Sequence, residues 1–344
     1  MKTVAVVILN WNGQKWLERF LPNVLLHSNS LADIVVIDNG STDDSQAFCQ
    51  SQFPEVKWIS LSKNHGFAGG YNEGLKGLEY KYFMLLNSDV EVTADWLTPL
   101  LDWMEQDPKL AACQPKVIDH QTKKQFEYAG GAGGYLDKDG YAFCAGRMFY
   151  AFENDENQYQ GKKEVFWATG AALMIRRKVW EEVSGFDADF FAHMEEIDLC
   201  WRLKNRGYTI GAALDSTVYH VGGGTLDRQN PMKTFLNFRN NLFLIVKNHR
   251  RSNLAIHLLR RLVLDGIAGI RFATEMKWSH LWAVLRAHFA FYFMLRSMLQ
   301  KRSLEAPSIK EINEKGLYQS SVVYAFFIRN KTKFSQLDPH SFVQ

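Results

Sequence analysis

The sequence predicts an α/β fold, in which an open and mostly parallel β-sheet is followed by a C-terminal helical region. Three observations predict it. Continuous apolar, β-branched runs such as "TVAVVILNW" and "ADIVVID" are typical of strands that are covered on both faces. Segments with apolar residues at helical spacing separate these runs, and short connections between alternating strands and helices indicate a parallel sheet. Beyond about residue 232 the pattern becomes helical.

The first ninety or so residues supply four predicted strands. "TVAVVILNW" precedes an amphipathic helix in "NGQKWLERFLPNVLLHS", and "ADIVVID" ends before the turn "NGSTDDS". We expect Ser41 or Thr42 of this turn to lie near the N-cap of the next helix. "VKWISLS" and "KYFMLL" are the third and fourth strands. Ligands bind at the carboxyl ends of such strands, where we expect four polar residues: Asn10, Asp38, Asn64 and Asp89.

The rest of the chain divides less regularly. Residues 110–170 predict short strands with glycine turns, added at one side of the sheet. A turn and a helix follow, and Gly207 is a plausible C-cap for that helix. "TIGAALDSTVYH" predicts one more strand. We therefore expect a first domain at 1–245, a basic helical extension at 246–330 and a tail at 331–344.

Composition excludes several classes of protein. A net charge of +3 over 344 residues is too balanced for a nucleic-acid footprint that covers the whole chain. The four cysteines form no C-x-x-C pair, which argues against a zinc ribbon or a disulfide framework. No window of 18 residues is free of charge, and the first residues lack the features of a signal peptide. We therefore expect a cytoplasmic protein.

Asp38 and its neighbours predict a slot for a nucleoside. Asn12 follows the first strand and "GSTD" follows the second, so their polar groups are expected at the same edge of the sheet. A carboxylate there can accept from a base N–H or from ribose hydroxyls; the alternative is an ordinary helix cap. A dinucleotide-binding fold would need G-x-G-x-x-G after the first strand, and "NWNGQKW" has a single glycine.

The segment "NHGFAGGYNEG" predicts a second part of this slot. Its glycines, Gly66 among them, would let the backbone approach a ligand closely, and Asn72 could point at ribose or phosphate. The alternative is a flexible turn before a helix.

Asp89 and His220 are candidate metal ligands. A divalent ion that bridges two phosphates needs few protein ligands, because phosphate and water complete its octahedral shell. Asp89 closes a predicted strand in "LLNSDVEV", and His220 ends another in "VYHVGGGT". Carboxylate and imidazole together would accept Mn²⁺ as well as Mg²⁺. The alternatives are a turn-forming acid and a structural histidine.

Three acids in "HMEEIDLCWR" are candidates for proton transfer. Glu195, Glu196 and Asp198 begin a predicted helix after "GFDADFF", whose aromatic residues suggest the lip of a pocket. A carboxylate near a helix start can take a proton from a hydroxyl. The alternatives are a solvated helix face, or acids that favour the helix dipole.

Taken together and in order, seven segments resemble the family 2 glycosyltransferases with the GT-A fold, close to bacterial rhamnosyltransferase-like members. They lie within residues 1–245 and are "VVILNWNG", "VVIDNGSTDDS", "NHGFAGGYNEG", "LLNSDVEV", "ATGAALMIRR", "FDADFFAHMEEIDLCWRLKNRGY" and "VYHVGGG".

The resemblance implies a donor site with a divalent metal, Mg²⁺ or Mn²⁺. "NSD" stands where the family has D-x-D, so Asp89 corresponds to the metal-contacting acid and Asn87 replaces the first Asp. His220 matches a histidine near the metal and diphosphate, and Asp38 matches the acid that reads the base. The expected nucleotide-binding set is Asn10, Asn12, Asp38, Asn39, Ser41, Asn64, Gly66, Asn72, Asn87 and Ser88.

The resemblance also implies the reaction. "EEID" stands where the family usually has E-D-x-D, so the catalytic base is Glu196, with Glu195 as a substitute. The expected activity is inverting transfer from a UDP- or dTDP-sugar to a glycan or lipid-linked acceptor in cell-envelope polysaccharide synthesis. Three residues are expected in the donor and acceptor pocket: Trp167, Gly170 and Asp198.

Two other functions remain open. A sugar nucleotidyltransferase would carry a glycine- and Arg/Lys-rich loop after the first strand, and "NWNGQKW" has only Lys15. A non-catalytic nucleotide-sugar-binding protein is the second alternative, and Asn87 and Glu196 would then be signs of lost activity.

The C-terminal helices predict an interaction surface. Residues 247–302 contain eleven Lys or Arg and two acids, interleaved with Trp and Phe. Basic amphipathic helices of this kind commonly lie in a membrane interface, here the inner face of the plasma membrane. The alternative is a face that packs on the first domain or on a second copy as a homodimer.

Overall fold

The described residues of this computed structural model are 2–127, 129–222, 230–250, 253–304 and 312–343. They form fourteen strands: β1 (Val4–Asn10), β2 (Ala32–Asp38), β3 (Lys57–Ser60), β4 (Tyr82–Asn87), β5 (Val90–Val92), β6 (Leu110–Asp119), β7 (Gly134–Asp137), β8 (Ala142–Cys144), β9 (Arg147–Met148), β10 (Ala151–Phe152), β11 (Lys162–Val165), β12 (Ala172–Arg176), β13 (Thr209–His220) and β14 (Leu317–Tyr318). They also form ten α-helices: α1 (Gln14–Ser28), α2 (Ser45–Gln52), α3 (Gly66–Gly74), α4 (Thr98–Gln106), α5 (Arg177–Glu182), α6 (Glu195–Lys204), α7 (Pro231–Asn248), α8 (Leu254–Thr274), α9 (Trp278–Leu304) and α10 (Val322–Phe327).

Nine strands build the central sheet, in the order β11-β13-β6-β12-β4-β1-β2-β3, with β5 paired to β13. The neighbours from β4 to β3 are all parallel, and β13 is parallel to β6. β12 runs antiparallel to both of its neighbours. The predicted α/β fold with a largely parallel sheet is therefore confirmed, and β12 makes the whole sheet mixed.

Burial of β1 on both faces follows from its apolar run. Ala5 and Val7 pack in one core with Tyr71 of α3, whereas Val6 packs in a second core with Leu17 of α1. Because side chains of a strand alternate between faces, a continuous apolar run requires helices on both sides. Because β1, β2, β3 and β4 are parallel, their carboxyl ends lie along one edge of the sheet.

The strands of residues 110–170 are divided between two sheets, rather than added at one side as predicted. β6 lies inside the central sheet, between β12 and β13. β7, β8, β9 and β10 form a second sheet, whose order is β10-β9-β8-β7-β14. The fifth strand of this sheet comes from the C-terminal part of the chain, because β14 pairs in parallel with β7.

The predicted tail is packed on the second sheet. Tyr135 of β7 lies 4.7 Å from Phe334 and 5.4 Å from Phe342 between ring centroids. The predicted domain boundary at 245 and 246 falls inside α7, which packs along α9. The division into domains stays a prediction. Within the part of the chain that the structure describes, none of the helices is long and apolar enough to cross a membrane.

Three local predictions were wrong. The N-cap of α2 is Asp44, not Ser41 or Thr42. Asn64 lies four positions beyond the end of β3, in the loop before α3. Of the three aromatic residues predicted at a pocket lip, Phe186 and Phe190 are buried and belong to the core. Phe191 alone of the three is exposed, at 53%.

Candidate active site

Polar side chains join the carboxyl ends of β1 and β2. The side-chain amide of Asn10 donates to Asp38 Oδ1 at 3.1 Å and to Ser41 Oγ at 3.2 Å. The backbone N–H of Ser41 donates to the other oxygen of Asp38 at 3.3 Å. These three predicted residues therefore lie together, and the Asp38 carboxylate is oriented by the protein itself.

Asn12 extends this edge through the loop after β1. Its side-chain oxygen accepts from the backbone N–H of Thr42 at 2.7 Å, and its own backbone N–H donates to Ser41 Oγ at 2.9 Å. Asn12 has a φ of +48°, a backbone conformation that Asn tolerates better than most residues. The loops after β1 and β2 are thus tied to each other, which explains why Ser41 and Thr42 do not cap α2.

Asn39 connects the end of β2 to the start of α3. Its amide nitrogen donates to Asn64 Oδ1 at 3.1 Å and to the Gly66 carbonyl at 2.9 Å, and its oxygen accepts from His65 N–H at 2.9 Å. Asn64 also accepts from Gly66 N–H at 2.7 Å. The predicted residues Asn39, Asn64 and Gly66 therefore form one network, of which only Asn64 is exposed.

The glycines of "NHGFAGGYNEG" pack against other parts of the protein rather than facing an open cleft. Gly66 has a φ of +73°, and a Cβ there would lie 2.8 Å from the Phe191 ring. A Cβ on Gly70 would lie 2.9 Å from Leu9 and from Asn39. Glycine is thus required here because α3 packs closely against β1, β2 and the Phe191 loop.

Asn72 does not point at ribose or phosphate, which corrects its predicted role. Its side-chain nitrogen donates to the Phe186 carbonyl at 2.7 Å, and its oxygen accepts from Phe186 N–H at 3.0 Å. The nitrogen and the oxygen of the amide therefore both bond to the Phe186 backbone, and they attach α3 to the segment after α5.

Asp89 and His220 meet as predicted, in the turn between β4 and β5 and at the end of β13. His220 Nε2 lies 3.2 Å from Asp89 Oδ1 and 3.4 Å from the amide nitrogen of Asn87. Ser88, half-buried, lies between these two predicted residues. The other ring nitrogen of His220 lies 3.3 Å from Glu127 Oε2. The imidazole is therefore held between two buried carboxylates.

This arrangement favours a protonated His220. Burial alone would lower the pKa of the imidazole, but the charges of Asp89 and Glu127 raise it to about 10. Burial likewise opposes ionisation of Asp89, and the His220 charge nevertheless lowers the pKa of that carboxyl. The same charge lowers the pKa of Glu127 against its burial.

The donor atoms fit a divalent ion that takes most of its ligands from elsewhere. Asp89 Oδ1 lies 3.2 Å from His220 Nε2, a distance that the ion pair explains, and the two atoms are close enough to contact one ion once the imidazole is neutral. A carboxylate, a neutral imidazole and the side-chain oxygen of Asn87 are hard or borderline donors that suit Mg²⁺ or Mn²⁺. No group of three or more His, Cys, Asp or Glu arranged to hold a metal occurs among the described residues.

Glu195 and Glu196 begin α6 with unused acceptor atoms. Oε2 of each is buried and has no hydrogen-bond partner among the described residues. Burial raises the pKa of Glu196 to about 7. Burial and the neighbouring Glu196 charge hold the pKa of Glu195 well above its usual range. A Cβ on Gly170 would lie 3.6 Å from Glu196, so this predicted pocket residue does adjoin the acid.

Asp198 and Trp167 have other roles than the predicted pocket. Asp198 is fully buried, and its carboxylate accepts from Arg202, Lys247 and Asn248 at 2.8 to 2.9 Å. The Trp167 indole N–H donates to the Tyr135 carbonyl at 2.9 Å, and its ring lies against Gly134. Both residues build the protein beside the site rather than lining it.

Glu127 is the site residue that sequence reasoning missed. It lies outside all seven family-like segments, in a region where the sequence predicts only short strands and turns, and it is 2% exposed. A buried acid before a glycine-rich turn is a weak signal, because its meaning depends on His220, which lies 93 positions later in the chain.

Comparison with known proteins shows which family the chain resembles. The family model described as "Glycosyl transferase family 2" matches residues 5–192, more than half of the chain. A Haloferax volcanii protein named "Low-salt glycan biosynthesis hexosyltransferase Agl10" is 23% identical over 242 residues, which cover 69% of this chain and 73% of that protein. A Mycobacterium tuberculosis "N-acetylglucosaminyl-diphospho-decaprenol L-rhamnosyltransferase" is 24% identical over 223 residues, which cover 60% of this chain and 71% of that protein.

Two solved structures share the fold. GalNAc-T7 with UDP, GalNAc and Mn²⁺ superposes with a TM-score of 0.56 at 16% identity, over 72% of this chain and 48% of that one, so the chain spans about half of its length. A mannosyltransferase from Pyrobaculum calidifontis with GDP-Man and Mn²⁺ gives a TM-score of 0.52 at 13% identity, over 90% and 89% of the two chains.

Proposed function

The chain belongs to glycosyl transferase family 2 and is a glycosyltransferase with the GT-A fold, and on that basis we propose its reaction and its site. It transfers a sugar, with inversion, from a UDP- or dTDP-sugar to a hydroxyl of a glycan or lipid-linked acceptor of the cell envelope. The names of the Haloferax and Mycobacterium relatives, one of glycan biosynthesis and one of a decaprenol-linked acceptor, support this class of acceptor.

The observation that carries the proposal is the carboxylate of Glu196. It is partly buried, one of its oxygens has no partner among the described residues, and burial raises its pKa to about 7. A base works best when its pKa lies near the operating pH. Gly170 adjoins this acid, because a Cβ there would lie 3.6 Å from Glu196 and from Phe67. Glu195 is more deeply buried and stays the substitute candidate.

The Asp89, His220 and Asn87 cluster is proposed to hold the diphosphate end of the donor with Mg²⁺ or Mn²⁺. When bound, such an ion supplies positive charge that stabilises the leaving diphosphate. To bind an ion, His220 would have to lose its proton, and Asp89 and Asn87 would supply a carboxylate and an amide oxygen. Asp38, Asn10 and Ser41 are proposed to hold the nucleoside, because Asn10 and Ser41 fix the orientation of the Asp38 carboxylate.

In the transfer step the acceptor, the donor and Glu196 each have one role. The acceptor oxygen forms a bond to C1 of the sugar from the face opposite the diphosphate, and the bond from C1 to the diphosphate oxygen breaks. Glu196 takes the proton of the acceptor hydroxyl, and the nucleoside diphosphate leaves with the electron pair. A positioned base contributes about 10²- to 10⁴-fold to such a step.

A donor panel tests the proposal. UDP-, dTDP- and GDP-sugars are incubated with Mn²⁺ or Mg²⁺ and with glycan or polyprenyl-linked acceptors, and the released nucleoside diphosphate is measured. We expect Glu196→Gln to bind the donor as wild type does and to lose transfer. Turnover within a few-fold of wild type would refute the role of Glu196.

The same panel separates the alternatives. Binding of a nucleotide sugar without turnover for any donor would favour a non-catalytic binding protein. We expect Asp89→Asn to weaken nucleotide binding measured by calorimetry with Mn²⁺, and equal binding by both proteins would remove Asp89 from the metal site. Formation of a nucleotide sugar from sugar phosphate and nucleoside triphosphate would instead favour a nucleotidyltransferase.

We also propose that α8 and α9 dock on the inner face of the plasma membrane. Each helix carries a stripe of exposed apolar side chains at spacings of three and four, which places them on one face. The α8 stripe consists of Ile256, Leu259, Val263, Ile267 and Ile270. The α9 stripe consists of Trp278, Trp282, Leu285, Phe289, Tyr292 and Phe293.

The charge of this region favours anionic lipid as the occupant. Both acids of residues 247–302 are already paired, Asp265 with Arg261 and Glu275 with Arg271. Lys247 and Lys301 pair with acids outside this segment. The basic excess that is left complements a lipid surface of negative charge, whereas a second copy would bring like charges together.

Sedimentation with vesicles tests the docking. Wild type is expected to bind vesicles of phosphatidylcholine and phosphatidylglycerol, and Trp282→Glu with Phe289→Glu to abolish binding while donor binding is retained. Leu26→Glu in α1 is the control, because Leu26 is 77% exposed and lies outside both stripes. A dimer in light scattering that the double variant dissociates, without vesicle binding by wild type, would identify a second copy as the occupant and refute the membrane proposal.

A further inference from the structure

We propose that Asn240 of α7 is a positioning residue for Glu196, because its side-chain amide holds the backbone of the segment that presents this acid. We name residues 187–194 the presenting loop, since Glu195 and Glu196 follow it directly. The inference rests on the proposed function, in which Glu196 is the base.

The presenting loop has an unfavourable backbone. Phe191, His193 and Met194 have φ values of +65°, +68° and +72°, and Met194 is the N-cap of α6. Conformations of this kind are unfavourable for a residue with a Cβ, and they persist only where the surroundings enforce them. Contacts from other elements must therefore hold the presenting loop in the conformation that orients Glu196.

Asn240 supplies that hold through one buried amide. Its nitrogen carries two hydrogens, which it shares among the carbonyls of Phe190 at 3.0 Å, Ala192 at 3.0 Å and His193 at 2.7 Å. Asn240 is fully buried, and its oxygen accepts from Arg239 Nε at 2.9 Å. Three carbonyls of one short loop converge on this single group, so its loss releases the backbone on both sides of Phe191.

Further contacts attach the presenting loop to the C-terminal helices. Arg239 donates to the carbonyls of Asp189 at 3.1 Å and Phe190 at 3.0 Å. Lys301 of α9 donates to Asp187 at 2.5 Å and to Asp189 at 2.7 Å. The residues that hold the loop thus come from helices that lie beyond residues 5–192, where the family model matches.

The presenting loop also contacts the nucleotide side of the site. The carbonyl of Phe191 accepts from the backbone N–H of Phe67 at 3.1 Å and of Ala68 at 3.5 Å, at the start of α3. Since α3 is fastened independently by Asn39 and Asn72, releasing the loop is expected to move Glu196 more than the nucleotide loops. The predicted defect is therefore in transfer, not in donor binding.

The test compares two neighbouring asparagines of α7. Asn240→Ala removes the three loop contacts. Asn241→Ala is the matched control, because Asn241 is 1% exposed and donates to the Gly140 carbonyl at 2.7 Å, outside the presenting loop. A misplacement of about 1 Å lowers catalytic rates by about 10²-fold. We therefore expect kcat to fall by about 10²-fold in Asn240→Ala, with the Kd of the nucleoside diphosphate unchanged within about threefold.

The outcomes separate the proposal from a purely structural role. Loss of kcat at constant Kd in Asn240→Ala but not in Asn241→Ala supports it; unchanged kcat in Asn240→Ala, or equal loss in both variants, overturns it. Should Asn240→Ala fail to fold, Asn240→Ser, which keeps one donor, is measured under the same criteria.

Amide hydrogen exchange of residues 189–196 gives a second readout that does not need the reaction. Faster exchange in the Asn240 variant than in Asn241→Ala supports the hold on the loop, and equal exchange overturns it. If wild type transfers no sugar from any donor, the proposed function fails, and this exchange comparison still decides whether Asn240 orders the loop.

Discussion

Replacing Asp198 by asparagine removes the negative charge from a buried cluster of cations. Arg202 Nε and Lys247 Nζ both donate to Asp198 Oδ2, at 2.8 and 2.9 Å, and side chains of all three residues are at most 3% exposed. Burial alone would raise the pKa of Asp198, but Lys247 and Arg202 hold it below its usual value of 3.8. The carboxylate is therefore ionised at neutral pH.

The expected loss of stability is about 3 kcal/mol. Removing one partner of a buried ion pair costs about 3–5 kcal/mol, because a charge is left without compensation. Here each cation keeps another acceptor: Lys247 retains Asp187 at 2.7 Å, and Arg202 retains the carbonyls of Val183 and Gly185 at 2.7 and 2.6 Å. These contacts place the cost at the lower end of that range.

Urea unfolding at pH 7 measures the difference. With a slope of about 3 kcal/mol per molar for a chain of this size, a loss of about 3 kcal/mol moves the midpoint by about 1 M. The pKa of Asp198 in the folded protein lies below 3.8, so the stability difference between wild type and Asp198→Asn is fully present above pH 3.8. It declines as the pH falls through the pKa of the folded protein. Glu73→Gln is the control, because the Glu73–Lys76 pair is exposed and such pairs contribute less than about 0.5 kcal/mol.

The result that would refute this reasoning is a small stability change with a large catalytic one. If Asp198→Asn unfolds within about 1 kcal/mol of wild type and still loses transfer, Asp198 acts in the donor or acceptor pocket, as the sequence predicted, and the ion cluster is not its main role.

Three further predictions concern the acids and one glycine. Glu196 must lose its proton to act as a base, so kcat is expected to fall about tenfold per pH unit below about 7 and to level off above it; an acid limb near 4.5, the usual value for Glu, would contradict this. Glu127→Gln removes one of the two charges that raise the pKa of His220, so an NMR titration of this imidazole is expected to move down from about 10, and an unchanged titration would contradict the pairing. Gly134→Ala places a Cβ 2.2 Å from Trp167 and is expected to destabilise the fold by about 1–3 kcal/mol in thermal unfolding. Gly266→Ala is the control, because its Cβ meets nothing within 4 Å, and no loss of stability is expected.

The parts of the fold that were predicted correctly depend on local pattern. The apolar runs that became β1, β2 and β4 specify buried strands without reference to the rest of the chain. The meeting of Asp89 with His220 could also be expected, since both close strands at one edge of the sheet. Their role as metal ligands stays a prediction.

The errors concern side chains whose partners lie far away in the chain. Asn72 was assigned to ribose or phosphate, yet its amide is used by Phe186, 114 positions later. Asp198 was assigned to the pocket, yet Lys247 pairs with it from α7, 49 positions later. A sequence pattern reports which atoms a side chain carries, and tertiary packing decides which neighbour takes them, so such roles require the structure.

The parallel pairing of β14 with β7 has a consequence for the order in which the chain folds. Leu317 pairs with Leu136 across 181 positions, and a contact of such sequence separation forms late, because closing a long loop costs entropy before it gains any contact. During synthesis, Tyr135 leaves the ribosome long before Phe334 and Phe342 can cover its ring. The second sheet is therefore expected to stay incomplete and accessible to chaperones until residues 312–343 have been translated, and truncation before Leu317 is expected to trap the protein in that state.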